Sequence, residues 1–277
     1  MQEEWTFQQK LWIWGRTFGR AMVPLGLYVL MPALCLSVGY VLFHEDMTAQ
    51  EFFSYGGNFY SALGMILTIL VLYRRARARK RSFFEETTLY LDQIEWKKAA
   101  AFLAFGLSSA LAFSAVLTIL PSWGITESYT QASQTMFNGR DMLFTILTTV
   151  ITAPLAEEII FRGYMLNIFL ETFRERTAAL FVSLIFAVCH GQALWIVYAF
   201  IMGMILAYVS MREDNILYCL FLHVGFNLLS ALVWLAGRQK GIWDLLFGSP
   251  WLIAAYGLIG LLVCILLARS YRERTRL

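Results

Sequence analysis

Charged residues are scarce in this sequence. Asp, Glu, Lys and Arg make up 15% of the 277 residues and hydrophobic residues 59%, with a mean hydropathy of +0.61. A soluble domain is usually about 45–50% apolar and about 25% charged. The charges are also clustered, which leaves long apolar runs between them. This balance excludes an ordinary soluble globular domain and predicts a protein embedded in a membrane.

Cysteines are also few, and they lack the paired spacing of metal sites. Cys35, Cys189, Cys219 and Cys264 lie in apolar runs, so we expect core side chains and no disulfide framework. No internal repeat, low-complexity tract or linker divides the sequence, which predicts a single transmembrane domain over 1–277. The first ten residues are mixed in charge and lack the basic-then-apolar pattern of a cleavable signal peptide.

Eight apolar stretches are candidates for transmembrane helices, each of which needs about 20 mostly apolar residues. The fifth is well under this length, which is tolerable where its end is buried in protein or lines a wet cavity. The expected fold class is an all-α polytopic membrane protein with about eight transmembrane helices. The predicted spans are 17–43, 54–73, 99–120, 142–169, 177–190, 194–211, 215–236 and 250–268.

Basic residues fall on one side of this arrangement. They flank the start of the first span, and the runs RRARARKR (74–81) and ARSYRERTRL (268–277) follow the second and eighth spans. The loops 44–51 and 121–141, on the opposite side, are acidic or nearly so, and the third loop there, around Arg238 and Lys240, is a mild exception. Because basic loops stay in the cytoplasm, both termini and the 74–98 segment are predicted to be cytoplasmic.

The net charge of +3 follows from this topology and does not indicate a nucleic-acid partner. A basic run beside a span is expected to contact the anionic headgroups of membrane lipids. The segment after it, SFFEETTLYLDQIEWKK (82–98), places large apolar side chains among charges. It predicts an interfacial helix.

Ionisable side chains inside the spans occur at three places, and such residues by default indicate a functional site. Span four contains EEIIFR (157–162), the fifth ends in FAVCH (186–190), and the seventh contains HVGFN (223–227). From the helical rise, the acidic residue and the two histidines lie about 12 to 20 Å below the inner ends of their spans. The three segments can therefore converge below the membrane surface.

Helical spacing separates the roles of the two adjacent carboxylates. Glu158 and Arg162 are four residues apart, so they share a face and can form a supporting ion pair. Glu157 lies about 100° further round the helix, where no nearby basic residue shares its face. It needs another partner. Phe186 lies one turn before His190 and can pack beside it as an apolar wall.

One carboxylate, two imidazoles and an amide form a set that could hydrolyse an amide bond with water. A glutamate in an apolar cavity can take a proton from water. Histidine can orient that water or bind a metal, and an imidazole with an Asn amide can stabilise an oxyanion. Each group alone also has a structural explanation, such as a hydrogen bond between helices. Taken together, the four groups favour a catalytic role over a structural one.

The three segments resemble the motifs E-E-x-x-x-R, F-x-x-x-H and H-x-x-x-N of the CPBP family. This family comprises the CAAX prenyl proteases and bacteriocin-processing enzymes and is also called the Abi family. The resemblance gives a motif-bearing core at about 142–236. It implies an eight-helix intramembrane endopeptidase whose active site lies within the helix bundle, in a cavity open to the cytosol.

The resemblance also implies catalytic roles. Glu157 looks like the general base, and His190 looks like its partner on the water. His223 and Asn227 look like the pair that stabilises the oxyanion. The family is often classed as a metallopeptidase, but a metal-free glutamate mechanism is also argued.

The cofactor stays open at this point. Glu157, His190 and His223 would suit Zn²⁺, yet their spacing is not that of an H-E-x-x-H motif. We favour the metal-free reading, because Asn227 on the face of His223 has a use beside an oxyanion and a poor one as a zinc ligand.

The implied substrate is a membrane-associated protein or peptide. Eukaryotic members of the family cut prenylated CAAX proteins, whereas prokaryotic members are linked to peptide maturation, bacteriocin immunity and signalling. The short loops favour a prokaryotic plasma membrane. Two alternatives are an ion or proton transporter, which would usually show repeated halves, and a non-catalytic CPBP-fold scaffold or bacteriocin self-immunity protein. The intact motifs argue against the second.

Overall fold

The computed structural model describes residues 6–44, 46–119 and 142–274, with the isolated positions 127, 131 and 133. The described chain is helical throughout and contains no strand. Most of the predicted outer loop 121–141 lies outside the described residues. The helices are α1 (Phe7–Phe43), α2 (Ala49–Ala78), α3 (Phe83–Glu86), α4 (Trp96–Ile119), α5 (Met142–Leu170), α6 (Glu175–Val188), α7 (Ala193–Glu213), α8 (Ile216–Gly237), α9 (Lys240–Phe247) and α10 (Pro250–Arg274).

Seven of these helices, α1, α2, α4, α5, α7, α8 and α10, are long and apolar enough to cross a membrane. The all-α polytopic fold class is therefore confirmed. The remaining predicted span, the fifth (177–190), corresponds to α6, which has only 14 residues. It covers about 21 Å at about 1.5 Å per residue, less than the hydrocarbon core of about 30 Å. As a straight helix, α6 is therefore too short to cross the membrane by itself.

The interfacial helix predicted over 82–98 is wrong. This segment forms the single turn α3, a 3-10 turn at Leu91–Gln93 and the start of α4. Phe83 and Leu89 of this segment are buried in the protein, whereas Phe84, Leu91 and Trp96 are exposed. The side chain of Asn215 fastens the segment, accepting from the backbone N–H of Tyr90 at 3.3 Å and donating to its carbonyl at 2.8 Å.

Helix α5 runs through the interior of the protein. Ile160, Phe161, Met165 and Phe169 are all at most 1% exposed, and they pack against residues of α1, α6 and α7. Among the seven long spans, α8 and α5 are the most buried, whereas α1 and α10 are the least. The two helices that carry the E-E-x-x-x-R and H-x-x-x-N motifs are therefore the central ones.

Helix α8 is held close to α4 at two glycines. A Cβ atom at Gly106 would lie 2.0 Å from the carbonyl oxygen of Leu222, and one at Gly225 would lie 2.3 Å from that of Leu103. Neither position can hold a larger residue without moving a backbone. Small residues commonly permit such close crossings in membranes. This crossing sets the position of His223, which lies between Leu222 and Gly225 on α8.

Candidate active site

Two π-helical segments of α5, Thr148–Thr152 and Glu158–Leu166, lie at the E-E-x-x-x-R motif, and the second contains the motif from Glu158 to Arg162. A π-helix adds a residue to the turn and so displaces the side chains that follow. Such segments are rare in helices and frequently occur at functional sites. They join the short α-helical stretch Ala153–Glu157, which ends at the first carboxylate of the motif.

Glu158 and Arg162 form the buried ion pair that their spacing predicts. Nη1 of Arg162 donates to Oε1 of Glu158 at 3.1 Å. The Arg162 side chain is 0% exposed and the Glu158 side chain is 1% exposed. Nη2 of the guanidinium donates to the carbonyl of Gly203 on α7 at 3.3 Å, and its Cζ lies 4.5 Å from the centre of the Phe186 ring. Pairing and hydrogen bonds reduce the cost of burying these charges.

His223 lies between the two carboxylates. Its Nδ1 donates to Oε1 of Glu158 at 2.7 Å, and its Nε2 lies 3.6 Å from Oε2 of Glu157. Since a carboxylate only accepts, the proton of this imidazole is fixed on Nδ1. Nε2 is left to face Glu157. Glu158 thus holds the imidazole of His223 in a single orientation and tautomer.

Glu157 finds its partner on α1, where no motif residue lies. The hydroxyl of Tyr28 donates to Oε1 of Glu157 at 2.7 Å. The Glu157 side chain is 13% exposed, in contrast to the enclosed Glu158. It lines a cavity of about 210 Å³, whose walls are Tyr28, Glu157, Phe161, Phe186, Cys189, His190 and Trp195.

His190 lines the same cavity from the turn between α6 and α7. Its Nδ1 donates to the carbonyl of Phe186 at 2.8 Å, which leaves Nε2 as the free ring nitrogen. The Phe186 ring lies edge-on to His190, with 4.7 Å between ring centres, and edge-on to His223 at 6.0 Å. The Phe186 ring thus packs against both imidazoles.

Backbone N–H groups in this turn form hydrogen bonds to nearby carbonyls of α6. The N–H groups of Cys189 and His190 donate to the carbonyls of Ile185 and Ala187 at 3.1 and 3.0 Å. Gly191 follows with a positive φ of 70°, a conformation that favours glycine. Irregular backbone at membrane depth occurs only where it is buried in protein or lines a water-filled cavity. This turn lines the cavity through Cys189 and His190.

Asn227 lies one turn after His223 on α8, and its Nδ2 donates to the carbonyl of Thr149 at 2.9 Å. The π-helix makes this acceptor available. The N–H of Ala153 bonds to the carbonyl five residues back, at Thr148. The next N–H in that register would bond to Thr149, but residue 154 is proline and has none. An amide has two N–H donors, and Thr149 accepts one of them.

The structure thus brings Glu157, His190 and His223 together, as their predicted depths require. The sequence prediction missed Tyr28, Phe161, Cys189 and Trp195, the cavity residues outside the motifs' named positions. Tyr28 is one tyrosine within an apolar span, and no spacing rule connects it to a carboxylate 129 positions away. No signal in the sequence alone could have found it.

The fit of a metal to these residues is incomplete. In both His190 and His223 the Nδ1–H group donates to an oxygen, which leaves Nε2 available. Metal-binding histidines commonly use this arrangement. His223 Nε2 and Glu157 Oε2 are close enough to share an ion. Within the described part of the chain, however, no group of three His, Cys, Asp or Glu side chains is arranged to hold a metal. A zinc site of Glu157, His190 and His223 does not fit this geometry.

Comparison with known families identifies the segment that carries these motifs. Residues 139–229 match the family described as type II CAAX prenyl endopeptidase Rce1-like. The resemblance to the CPBP family is confirmed. The CPBP match contains all the motif residues, from Glu157 to Asn227, and excludes Tyr28.

One relative is a protein of Escherichia coli described as "Uncharacterized 24.3 kDa protein". It is 35% identical over 97 residues, which cover 33% of this chain and 45% of that protein. The matched segment thus spans less than half of the relative. No solved structure matches this chain.

Proposed function

We propose that this chain is an intramembrane endopeptidase that hydrolyses a peptide bond of a membrane-associated protein or peptide with water activated by Glu157. The observation that carries the proposal is the position of the Glu157 carboxylate. It lines a cavity beside His190, while its neighbour Glu158 is enclosed and paired. The similarity of residues 139–229 to CAAX endopeptidases supports proteolysis as the reaction.

In this proposal Glu157 accepts a proton from water as the water oxygen bonds to the carbonyl carbon of the substrate. His190 helps to hold that water. Because its Nδ1 proton is committed to the Phe186 carbonyl, the neutral ring offers the Nε2 lone pair to a water hydrogen. The carboxyl of Glu157 then gives its proton to the departing amine, and the peptide C–N bond breaks.

His223 and Asn227 are proposed to stabilise the oxyanion that forms in between. Since His223 Nδ1 already donates to Glu158, the ring must be cationic to donate from Nε2 as well. A carboxylate on the far side of an imidazole stabilises that cation, as in the serine protease triad. The second N–H of Asn227 supplies the other donor. Glu158 and Arg162 then act by supporting His223.

We further propose that the chain forms one domain in a prokaryotic plasma membrane, with both termini in the cytoplasm and the cavity open to that side. Cleavage there requires a substrate that lies in or at the bilayer. The walls supplied by Tyr28, Phe161, Phe186 and Trp195 favour apolar or aromatic groups next to the cut bond.

The decisive test compares Glu157→Gln with wild type after purification in detergent. A library of lipidated and unlipidated peptides is incubated with each protein, and the products are identified by mass spectrometry. We expect cleavage by wild type and none by Glu157→Gln, since the amide keeps the shape of the side chain but cannot accept the proton. Glu175→Gln, at an exposed position on α6, is the matched control and should cleave normally.

Cleavage at the wild-type rate by Glu157→Gln would disprove the assignment of the base. If neither protein cut any peptide, while both conferred the same resistance to a bacteriocin in cells, the scaffold or immunity alternative would replace the enzyme.

A further inference from the structure

The contact between Tyr28 and Glu157 joins the candidate base to a helix that the family match does not include. Tyr28 lies on α1, and the match covers residues 139–229. The hydroxyl of Tyr28 lies 2.7 Å from Oε1 of Glu157. An ionised carboxylate accepts and cannot donate, so the phenol is the donor.

Polar contacts at the cytoplasmic end hold α1 in register with α5. The hydroxyls of Thr17 and Thr172 lie 2.7 Å apart. The guanidinium of Arg20 donates to Glu171 through both terminal nitrogens, one of them at 2.8 Å. This hydrogen bond from Arg20 lowers the pKa of the Glu171 carboxyl. Both pairs join the first third of α1 to the end of α5.

Aromatic contacts continue this register into the membrane. The ring of Phe18 lies edge-on to Phe169, with 5.1 Å between centres, and the ring of Tyr28 lies edge-on to Phe161 at 6.1 Å. The partner numbers fall on α5 as they rise on α1, so the two helices are antiparallel. Ring packing leaves the Tyr28 hydroxyl pointing to the carboxylate one turn before Phe161. The hydrogen bond is therefore built into the helix pairing.

We propose that Tyr28 is a positioning residue for the general base, which orients the Glu157 carboxylate by occupying Oε1 and leaving Oε2 for the attacking water. The inference rests on the proposed function. It adds α1 to the helices that form the active site. The segment that matches the family, residues 139–229, therefore lacks one residue that orients the base.

The surroundings of Glu157 show why one donor matters. The groups that face it are Tyr28 from α1, His223 from α8, and Cys189 and His190 from the turn after α6. His223 Nε2 lies 3.6 Å from Oε2, beyond direct hydrogen-bond distance. Tyr28 therefore makes the close hydrogen bond to this carboxylate among these groups. Its loss frees the side chain to rotate and removes the donor that stabilises the charge.

The first experiment needs no substrate. Infrared difference spectra of the purified full-length protein are recorded as the pH is lowered, and the carboxyl band that disappears in Glu157→Gln is assigned to Glu157. In Tyr28→Phe, the frequency of that band should shift, because the Glu157 carboxyl loses a hydrogen bond. The Phe161 contact is retained, since only the hydroxyl is removed.

The second experiment measures cleavage kinetics on a peptide found with the library. In Tyr28→Phe we expect kcat to fall about tenfold to a hundredfold with little change in KM, since the contact orients the base and does not hold substrate. The loss of kcat should accompany the shift of the infrared band. Tyr208→Phe, on an exposed face of α7, is the matched control and should keep the wild-type kcat and infrared band.

The outcomes separate this inference from the proposed function. Normal cleavage by Glu157→Gln removes the proposed function. An inactive Glu157→Gln, beside a Tyr28→Phe protein with wild-type kcat and an unmoved infrared band, overturns the role of Tyr28 alone. A Tyr28→Phe protein with a lower Tm and lower kcat but an unmoved band would show that the tyrosine only supports the fold, which also overturns it.

Discussion

The Nδ1 atom of His223 donates a 2.7 Å hydrogen bond to Oε1 of Glu158, and neither side chain is more than 6% exposed. The bond joins α8 to α5 within the bundle. Glu158 is thus more than a counter-ion for Arg162, because the same oxygen also fixes the orientation of an imidazole. Stability and site geometry therefore depend on one carboxylate.

The first prediction concerns this shared carboxylate. Glu158→Gln should lower the free energy of unfolding by about 3–5 kcal/mol, because Arg162 would remain buried without its counter-charge. Thermal or denaturant unfolding in detergent measures the loss. Glu85→Gln, at an exposed position on α3, is the control and should unfold like wild type. Unchanged unfolding of Glu158→Gln would contradict a buried pair.

A second prediction concerns the oxyanion pair. Asn227→Ala should leave slow but measurable cleavage, since the loss of one oxyanion donor typically costs about 10²–10³ in kcat. KM should change little, because the contact strengthens in the transition state. His190→Ala should be more severe, since it disturbs the water itself. Equal kcat for Asn227→Ala and wild type would remove Asn227 from the mechanism.

Metal analysis of the same proteins tests the competing chemistry. If zinc were the catalyst, His190→Ala and His223→Ala should each lose metal together with activity, while Asn227→Ala should keep it. The geometry of Glu157 and the two histidines leads us to expect no stoichiometric zinc in wild type. Zinc at one equivalent that disappears in His223→Ala would prove the metal-free mechanism wrong.

The topology provides a third prediction. Gln50 lies in the first turn of α2, and Arg79 follows its last residue; both positions are exposed and suit an introduced cysteine. Because the basic run at 74–81 is expected to be cytoplasmic, a membrane-impermeant thiol reagent added to intact cells should label Gln50→Cys alone. Labelling of Arg79→Cys in intact cells would reverse the orientation, and labelling of both would refute a single span at α2.

A fourth prediction addresses the crossing of α4 and α8. Gly225→Ala should destabilise the protein by about 1–3 kcal/mol, because its Cβ would meet the Leu103 carbonyl and force the helices apart. Gly26→Ala, on α1, is the matched control, since a Cβ there meets nothing within 4 Å. Unfolding in detergent compares the two. A Gly225→Ala protein as stable as the Gly26→Ala control would show that the crossing tolerates a wider spacing.

Predictions from the sequence succeeded where an interaction was local to one helix. Composition and run length were sufficient for the membrane class, and the spacing of Glu158 and Arg162 predicted their ion pair. The prediction for 82–98 failed because an apolar and charged pattern fits both an interfacial helix and a segment folded against the protein. Contacts from α5 and Asn215 decide between them.

The amino-acid sequence by itself determined that this protein crosses a membrane, and it determined which polar side chains enter the spans. Both follow from residue type and helical period, which need no knowledge of neighbouring helices. Only the tertiary structure decided that Tyr28 contacts Glu157, that His223 lies between two carboxylates, and that Asn227 reaches Thr149. Each of these contacts joins residues from different helices, so it exists only once packing has set the rotation and register of both.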